Sequence, residues 1–228
     1  MSVVSQLYKP YDISGQTVLI TGASSGIGQD VRDIQAIQEL PQQLPHEFKE
    51  VDILVNNAGL ALGTAGVQDN DVEDLVQMLE TNCTQVVIFT KTFLEGMLAR
   101  NKGHIVNMGS VAGHESYSGG SVYCGTKHFL DAYTTAARHD LVGTNIRVTV
   151  ISPGAVRTEF SAVRFKGDQA KADAVYEGIH PLTADDIADN VLYACTRPAH
   201  VQIADIVVLA TYQCSAKGIA RVLKGQQE

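Results

Sequence analysis

The sequence predicts an α/β fold built on a parallel sheet that is covered by helices on both faces. Two observations carry this expectation. Five short apolar runs rich in β-branched residues recur along the 228-residue chain, and four of them end in a glycine corner. Longer segments with helical periodicity separate the runs. Strands buried on both faces read as near-continuous apolar runs, and parallel neighbours need helical crossovers between them.

The elements follow in order. TVLIT (17–21) is the first strand and runs into Gly22. The turn TGASSGIG (21–28) follows it, with glycines at 22, 26 and 28 interleaved with Ser24, Ser25 and Ile27. Those glycines permit a tight turn and close backbone approach, so the N–H groups of the next helix start can face a phosphate. Glycine as simple loop punctuation is the plainer reading of such a turn. The preceding strand and the T-G-x-x-x-G-x-G spacing favour a nucleotide site. Ile27, Val31, Ile34, Ile37 and Leu40 then predict one amphipathic helix from about Gly26 to Leu40, stopped by Pro41 and Pro45.

DILVNN (52–57) is the second run, HIVNMG (104–109) the third, IRVTVIS (146–152) the fourth and ADIVVLA (204–210) the fifth. Between them, residues 71–99 read as a helix through Val72, Leu75, Val76, Leu79, Val86 and Val87 to Leu98. Residues 121–141 read as another, through Val122, Phe129, Leu130, Tyr133 and Leu141. Thr183 with Asp186 three positions on opens a helix over 184–196, in the manner of a capping box. Residues 155–180 have weak periodicity and read as a long loop with a short helix, the kind of insertion that covers a substrate site. Residues 1–14 form an N-terminal extension. No linker or repeat interrupts the chain, so 1–228 is read as one domain. The tail 212–228 carries no motif.

Net charge is −8, with no basic run, which argues against a nucleic-acid partner. No apolar stretch reaches the 18 residues of a membrane span, and no signal peptide is expected at the N-terminus. Cys83, Cys124, Cys195 and Cys214 form no CxxC pair. They read as buried free thiols of a reducing, cytoplasmic compartment. No metal is expected.

The chemistry is carried by three residues. Ser110 closes the third strand, while Tyr123 and Lys127 lie in YCGTK, four apart on one face of a predicted helix. A tyrosine titrates near about 10, and a neighbouring ammonium lowers such a value by roughly 1–3 units. Tyr123 could then exchange a proton with a carbonyl oxygen while Ser110 orients that oxygen. A Tyr-x-x-x-Lys pair alone is common on helices. The serine, the glycine turn and the NNAG corner make the set specific.

Together TGASSGIG, DILVNNAG, Asn82 in LETN, Ser110, Tyr123, Lys127 and ISPGAVRT resemble the short-chain dehydrogenase/reductase family. The resemblance implies a Rossmann-type doubly wound parallel sheet and NAD(P)-linked hydride transfer between an alcohol and a carbonyl. It implies catalytic roles for Ser110, Tyr123 and Lys127, with Asn82 supporting a proton relay. It places the cofactor on Gly22, Ser24, Ser25, Gly26, Ile27 and Gly28, and at Asp30-Val31 as the adenine corner. It further places Asn56, Asn57, Ala58 and Gly59 beside the adenosine, Tyr123 and Lys127 at the reacting end, and Pro153, Gly154, Val156 and Thr158 near the nicotinamide and pyrophosphate. NNAGLALG (56–63) and VRFKGD (163–168) resemble the 3-hydroxy acid dehydrogenase branch, which uses NADP and acts on serine and allo-threonine. Ser110, Tyr123 and Arg164 would then meet the substrate, Arg164 holding its carboxylate. The helices at 71–99 and 121–141 match the family's oligomer interface, which implies a homo-oligomer.

The chain departs from the family directly after Gly28. At least about 30 residues, more than one βαβ unit, are missing there, so the second and third strands of the family sheet are expected to be absent. The residue that selects NADP over NAD goes with them, and NAD is left open. A right-handed crossover would put the connecting helix on the face opposite the usual cofactor helix, and the first strand would become a sheet edge. A skipped exon explains the gap if an intact, active parent exists. The alternative is a truncated, catalytically weak member acting as an interaction subunit.

Overall fold

A computed structural model describes residues 10–23 and 30–221. Five strands form one sheet in sequential order: β1 (Thr17–Ile20), β2 (Val51–Asn56), β3 (Gly103–Met108), β4 (Ile146–Pro153) and β5 (Asp205–Val208). Every neighbouring pair is parallel, with Ile20 opposite Val55, Asn56 opposite Asn107 and Met108 opposite Ile151. All five apolar runs are thus strands, and their C-terminal ends share one edge of the sheet.

The helices are α1 (Ile34–Gln43), α2 (Val72–Leu79), α3 (Gln85–Arg100), α4 (Ser121–Asp140), α5 (Phe160–Arg164), α6 (Gln169–Tyr176) and α7 (Ala184–Cys195). Strand alternation sorts them onto two faces. On one face Ile37 of α1, Phe89, Phe93 and Met97 of α3, and the end of α4 at Leu141 pack with Val51, Leu54, Ile105 and Val148. On the other, Ile187 and Cys195 of α7 pack with Ile53, Val55, Val106 and Ile151. α1 therefore lies on the same face as α3 and α4, as the crossover argument expects. β1 is a sheet edge. Its Leu19 packs on the α1 side, while Val18 and Ile20, 42% and 47% exposed, face the α7 side.

Three local expectations change. The helix expected over 71–99 is divided by a π-turn at Glu80–Thr84. α1 runs through Pro41 rather than stopping there. Pro41 has no N–H to bond the Ile37 carbonyl, and its ring crowds that carbonyl. The Leu44 N–H still donates to the Leu40 carbonyl at 3.0 Å, and Pro45 follows. At the other end Asp33 is the N-cap, accepting from the Ala36 N–H at 3.0 Å. Residues 155–180 hold two short helices, α5 and α6, joined by a turn with left-handed Lys166 and Gly167.

The Thr183–Asp186 capping box is present in both directions. Cys83, Cys124 and Cys195 are buried and free, whereas Cys214 is exposed, because it lies in the turn between Gln213 and Ile219. Among the described residues, no helix is long and apolar enough to cross a membrane.

Ile37 is the buried anchor of α1. Ile37→Ala should lower unfolding stability by about 2–4 kcal/mol. Urea denaturation would show this; a change below about 0.5 kcal/mol would mean that α1 does not pack on the α3 face.

Candidate active site

The site forms where β1 to β4 end and α4 begins. Tyr123 and Lys127, one turn apart on α4, are 9% and 6% exposed. The Lys127 Nζ donates to the Met108 carbonyl at the end of β3, at 2.8 Å, and stands 5.8 Å from the centre of the Tyr123 ring. Ser110 lies two residues beyond Met108, bears on the Tyr123 hydroxyl so as to lower its pKa, and accepts from the Ala112 N–H at 3.1 Å. Phe160 tilts against the Tyr123 ring, with centroids 5.7 Å apart. The structure thus brings Ser110, Tyr123 and Lys127 together.

Asn82 sits in the π-turn and is buried. Its Oδ1 accepts from the Leu60 N–H at 2.9 Å, and its Nδ2 donates to the Leu60 carbonyl at 2.7 Å and to Thr126 Oγ1 at 3.1 Å. An extra residue in a helical turn re-aims the side chains around it, and such turns recur at functional sites. Here the turn lets Asn82 clamp the loop after β2 to α4 beside Lys127. A Cβ on Gly59 would lie 3.4 Å from Asn82 Oδ1 and 3.6 Å from Lys127 Nζ, in van der Waals contact with both.

The electrostatics differ from the expectation. Burial pushes the Tyr123 hydroxyl up to about 12, against lowering by the Ser110 hydrogen bond and the Arg164 charge. Lys127 does not supply the lowering. Its own ammonium is pushed down to about 8 by burial, and it remains charged at neutral pH. The cation acting on Tyr123 is Arg164, whose guanidinium lies 5.8 Å from the Tyr123 ring.

Arg164 is also a loop clamp. It donates to the Gly63 carbonyl at 3.2 Å, to the Tyr117 hydroxyl at 3.0 Å and to the Gly119 carbonyl at 3.4 Å. Lys166 instead turns to α2 and pairs with Asp74 at 2.8 Å.

The cofactor-side residues divide into two groups. Asn57, Gly59, Tyr123, Lys127, Pro153, Gly154, Val156 and Thr158 line one cleft of about 850 Å³ together with Ser110 and Arg164. Thr21 Oγ1 accepts from the N–H groups of Asn57 and Ala58 at 3.1 and 3.0 Å, tying the corners after β1 and β2 together. At φ +66° Gly22 is left-handed, and a Cβ there would come within 2.7 Å of the Ala58 Cα. Asn56 is turned away from the cleft: its Nδ2 donates to Asn107 Oδ1 at 2.8 Å and to Thr90 Oγ1 at 3.2 Å. The Ala58 carbonyl accepts from Gln85 Nε2 at 3.2 Å. Asp30 and Val31 also stand apart from the cleft lining. Asp30 pairs with Arg32, which holds its carboxyl below the usual range, and Val31 packs into the α1-side core. Ser24, Ser25, Gly26, Ile27 and Gly28 lie outside the described residues.

Two cleft residues escaped the sequence reading. Tyr117 bonds Arg164, and Lys217 stands 4.5 Å above the centre of the Tyr117 ring. Lys217 reaches the site from a tail without periodicity, and nothing in its sequence surroundings sets it apart from Arg221 and Lys224.

The short chain dehydrogenase family model matches residues 29–169. The chain belongs to that family. It is 40% identical to the NADP-dependent 3-hydroxy acid dehydrogenase of Schizosaccharomyces pombe, covering 92% of this chain and 98% of that one. It is 41% identical to the serine 3-dehydrogenase of Agrobacterium fabrum, covering 85% and 78%. Among solved structures, the closed form of serine dehydrogenase complexed with NADP+ matches with a TM-score of 0.80 at 46% identity, over 82% of this chain and 76% of that one.

The buried ammonium makes stability pH-dependent. Unfolded, Lys127 keeps its proton up to about 10.5; folded, it releases it near 8. Between those values unfolding takes up a proton, so stability rises with pH across that window. Lys127→Met should flatten the rise in urea-denaturation profiles from pH 8 to 10. An unchanged slope would show that Lys127 is not the group responsible.

Proposed function

We propose that this chain is an NADP-dependent oxidoreductase that interconverts the hydroxyl of a 3-hydroxy acid, such as serine or allo-threonine, with the carbonyl. The observation that carries this reading is the buried Ser110–Tyr123–Lys127 set with the Arg164 guanidinium beside the tyrosine ring. The family membership and the names of the relatives support it.

The cofactor fits one feature in particular. An ammonium carries three N–H groups, and Met108 takes one from Lys127. Among the described residues the other two have no acceptor, and they would serve ribose hydroxyls in the cleft that Lys127 lines. Asn57, Gly59, Pro153, Gly154, Val156 and Thr158 would hold the rest of the nucleotide, with Gly22 and the turn through Ser24, Ser25, Gly26, Ile27 and Gly28 at the phosphates. When bound, NADP supplies the hydride acceptor and NADPH the donor. Tyr123 takes the proton from the substrate hydroxyl, or returns it to the carbonyl oxygen, and Ser110 orients that oxygen. Arg164 holds the carboxylate, and Asn82 supports the relay that returns the proton to solvent. The Ser110 hydroxyl and the Arg164 charge favour the phenolate that must form transiently.

The same reading covers the architecture. The alignment with the Schizosaccharomyces pombe relative spans 253 positions, more than the 228 residues of this chain. The relative thus has positions with no counterpart here. We read this as loss of the second and third strands of the Rossmann-type sheet, in a single domain over 1–228 whose segment 155–180 covers the substrate. Exposed Val72, Val76 and Leu79 on α2, Leu98 on α3 and Phe129 on α4 fit a homo-oligomer formed through these helices. Three buried free thiols suit a reducing, cytoplasmic setting.

Tyr123→Phe should lower kcat by about 10²–10⁴-fold while NADPH affinity stays unchanged. Steady-state kinetics on a 3-hydroxy acid would test this; full activity in the variant would remove Tyr123 from the mechanism.

A further inference from the structure

The established sequence features leave one cluster unused. The Tyr117 ring stands between two cations. The Arg164 guanidinium lies 5.6 Å from its centre and donates to its hydroxyl at 3.0 Å. The Lys217 Nζ lies 4.5 Å from the same centre. Both cations line the cleft that contains Ser110 and Tyr123. Among the described residues, no carboxylate pairs with either one. The acid beside Lys217 in the fold, Glu115, is taken by the Ala216 N–H at 3.2 Å.

The tail is held in this place by specific bonds. Gln213 is buried. Its Oε1 accepts from the Ala155 N–H at 2.9 Å and its Nε2 donates to the Ser215 carbonyl at 3.0 Å. An antiparallel bridge joins Gln213 to Ile219, and the Gly218 N–H donates to Ser215 Oγ at 2.9 Å. This small turn hangs from the end of β4 and delivers Lys217 to the Tyr117 ring, beside Arg164 of α5. Burial and the Arg164 charge both press the Lys217 ammonium toward losing its proton. Two like charges on one cleft wall repel each other, and an anion between them gains from both.

We propose that Lys217 is a specificity-determining residue that shares the substrate's carboxylate with Arg164. The proposal rests on the hydroxy-acid reading above and deepens it. Arg164 is committed to three loop contacts. Lys217 is the cation with all its N–H donors still available to a ligand among the described residues. The site therefore selects substrates with a free carboxylate, and Lys217 supplies much of that selection.

The experiment compares the wild type, K217A and K217R on 3-hydroxypropanoate and on its neutral methyl ester, at saturating NADP. K217A should raise KM for the acid on the order of tenfold, with kcat within about twofold and the ester unaffected. K217R should recover most of the loss. Equal effects on acid and ester, or none on either, would overturn the proposal while leaving the oxidoreductase reading intact. If the wild type oxidises neither compound, that reading fails instead. Calorimetric titration of 3-hydroxypropanoate then decides on Lys217 alone. Tighter binding to the wild type than to K217A, with no such difference for the ester, supports it; no difference, including no binding by the wild type, overturns it.

Discussion

The rest of the site depends on one buried charge, the Lys127 ammonium. Removing a charge from water is expensive unless polar groups compensate, and here the compensation in the protein itself is the Met108 carbonyl at 2.8 Å. That bond fixes how α4 docks on the end of β3, and so where Tyr123 stands relative to Ser110 on the same strand end. The corner after β2 comes close to the ammonium, with a Cβ position on Gly59 only 3.6 Å from Lys127 Nζ. The π-turn at Glu80–Thr84 brings Asn82 against α4 just where Lys127 needs the helix held. A value near 8 keeps the ammonium charged at neutral pH, although burial outweighs every lowering influence on the tyrosine.

The short connection between β1 and β2 shapes the other half of the cleft. α1 packs with α3 and α4, so the opposite face of β1 carries no helix of that connection among the described residues. Val18 and Ile20 consequently line the same cleft as Ser110, Tyr123 and Lys127, together with Ile187 and Val191 of α7. The catalytic end is enclosed by α5, by Tyr117 and by the tail turn that Gln213 suspends. An apolar floor of Val18, Ile20, Ile187 and Val191 continues into an end that carries the cations Arg164 and Lys217.

Much of this was legible in the sequence, for identifiable reasons. The five strands announce themselves because burial on both faces demands continuous apolar runs. Ser110, Tyr123 and Lys127 are readable because helix period and strand end put them together without long-range information. Thr183 and Asp186 are readable because a capping box is local. The face chosen by α1 followed from crossover handedness alone. The π-turn was hidden because its cause is the fit of Asn82 between Leu60 and Thr126, residues distant in sequence. Pro41 misled because the packing of Ile37 and Leu40 in the core holds the helix together past the bond that the proline loses. Asn56 sits beside the true cleft residue Asn57, and strand alternation sends the two side chains to different sides. Lys217 and Tyr117 meet only through the folded tail, and no period in 212–228 points to it.

The central question for this molecule is whether the five-stranded chain binds NADPH. Titration of the chain with NADPH, followed by nicotinamide fluorescence and accompanied by circular dichroism, measures this without relying on any substrate. The account predicts saturable binding with one site per chain. A folded chain that gives no saturable signal would contradict it.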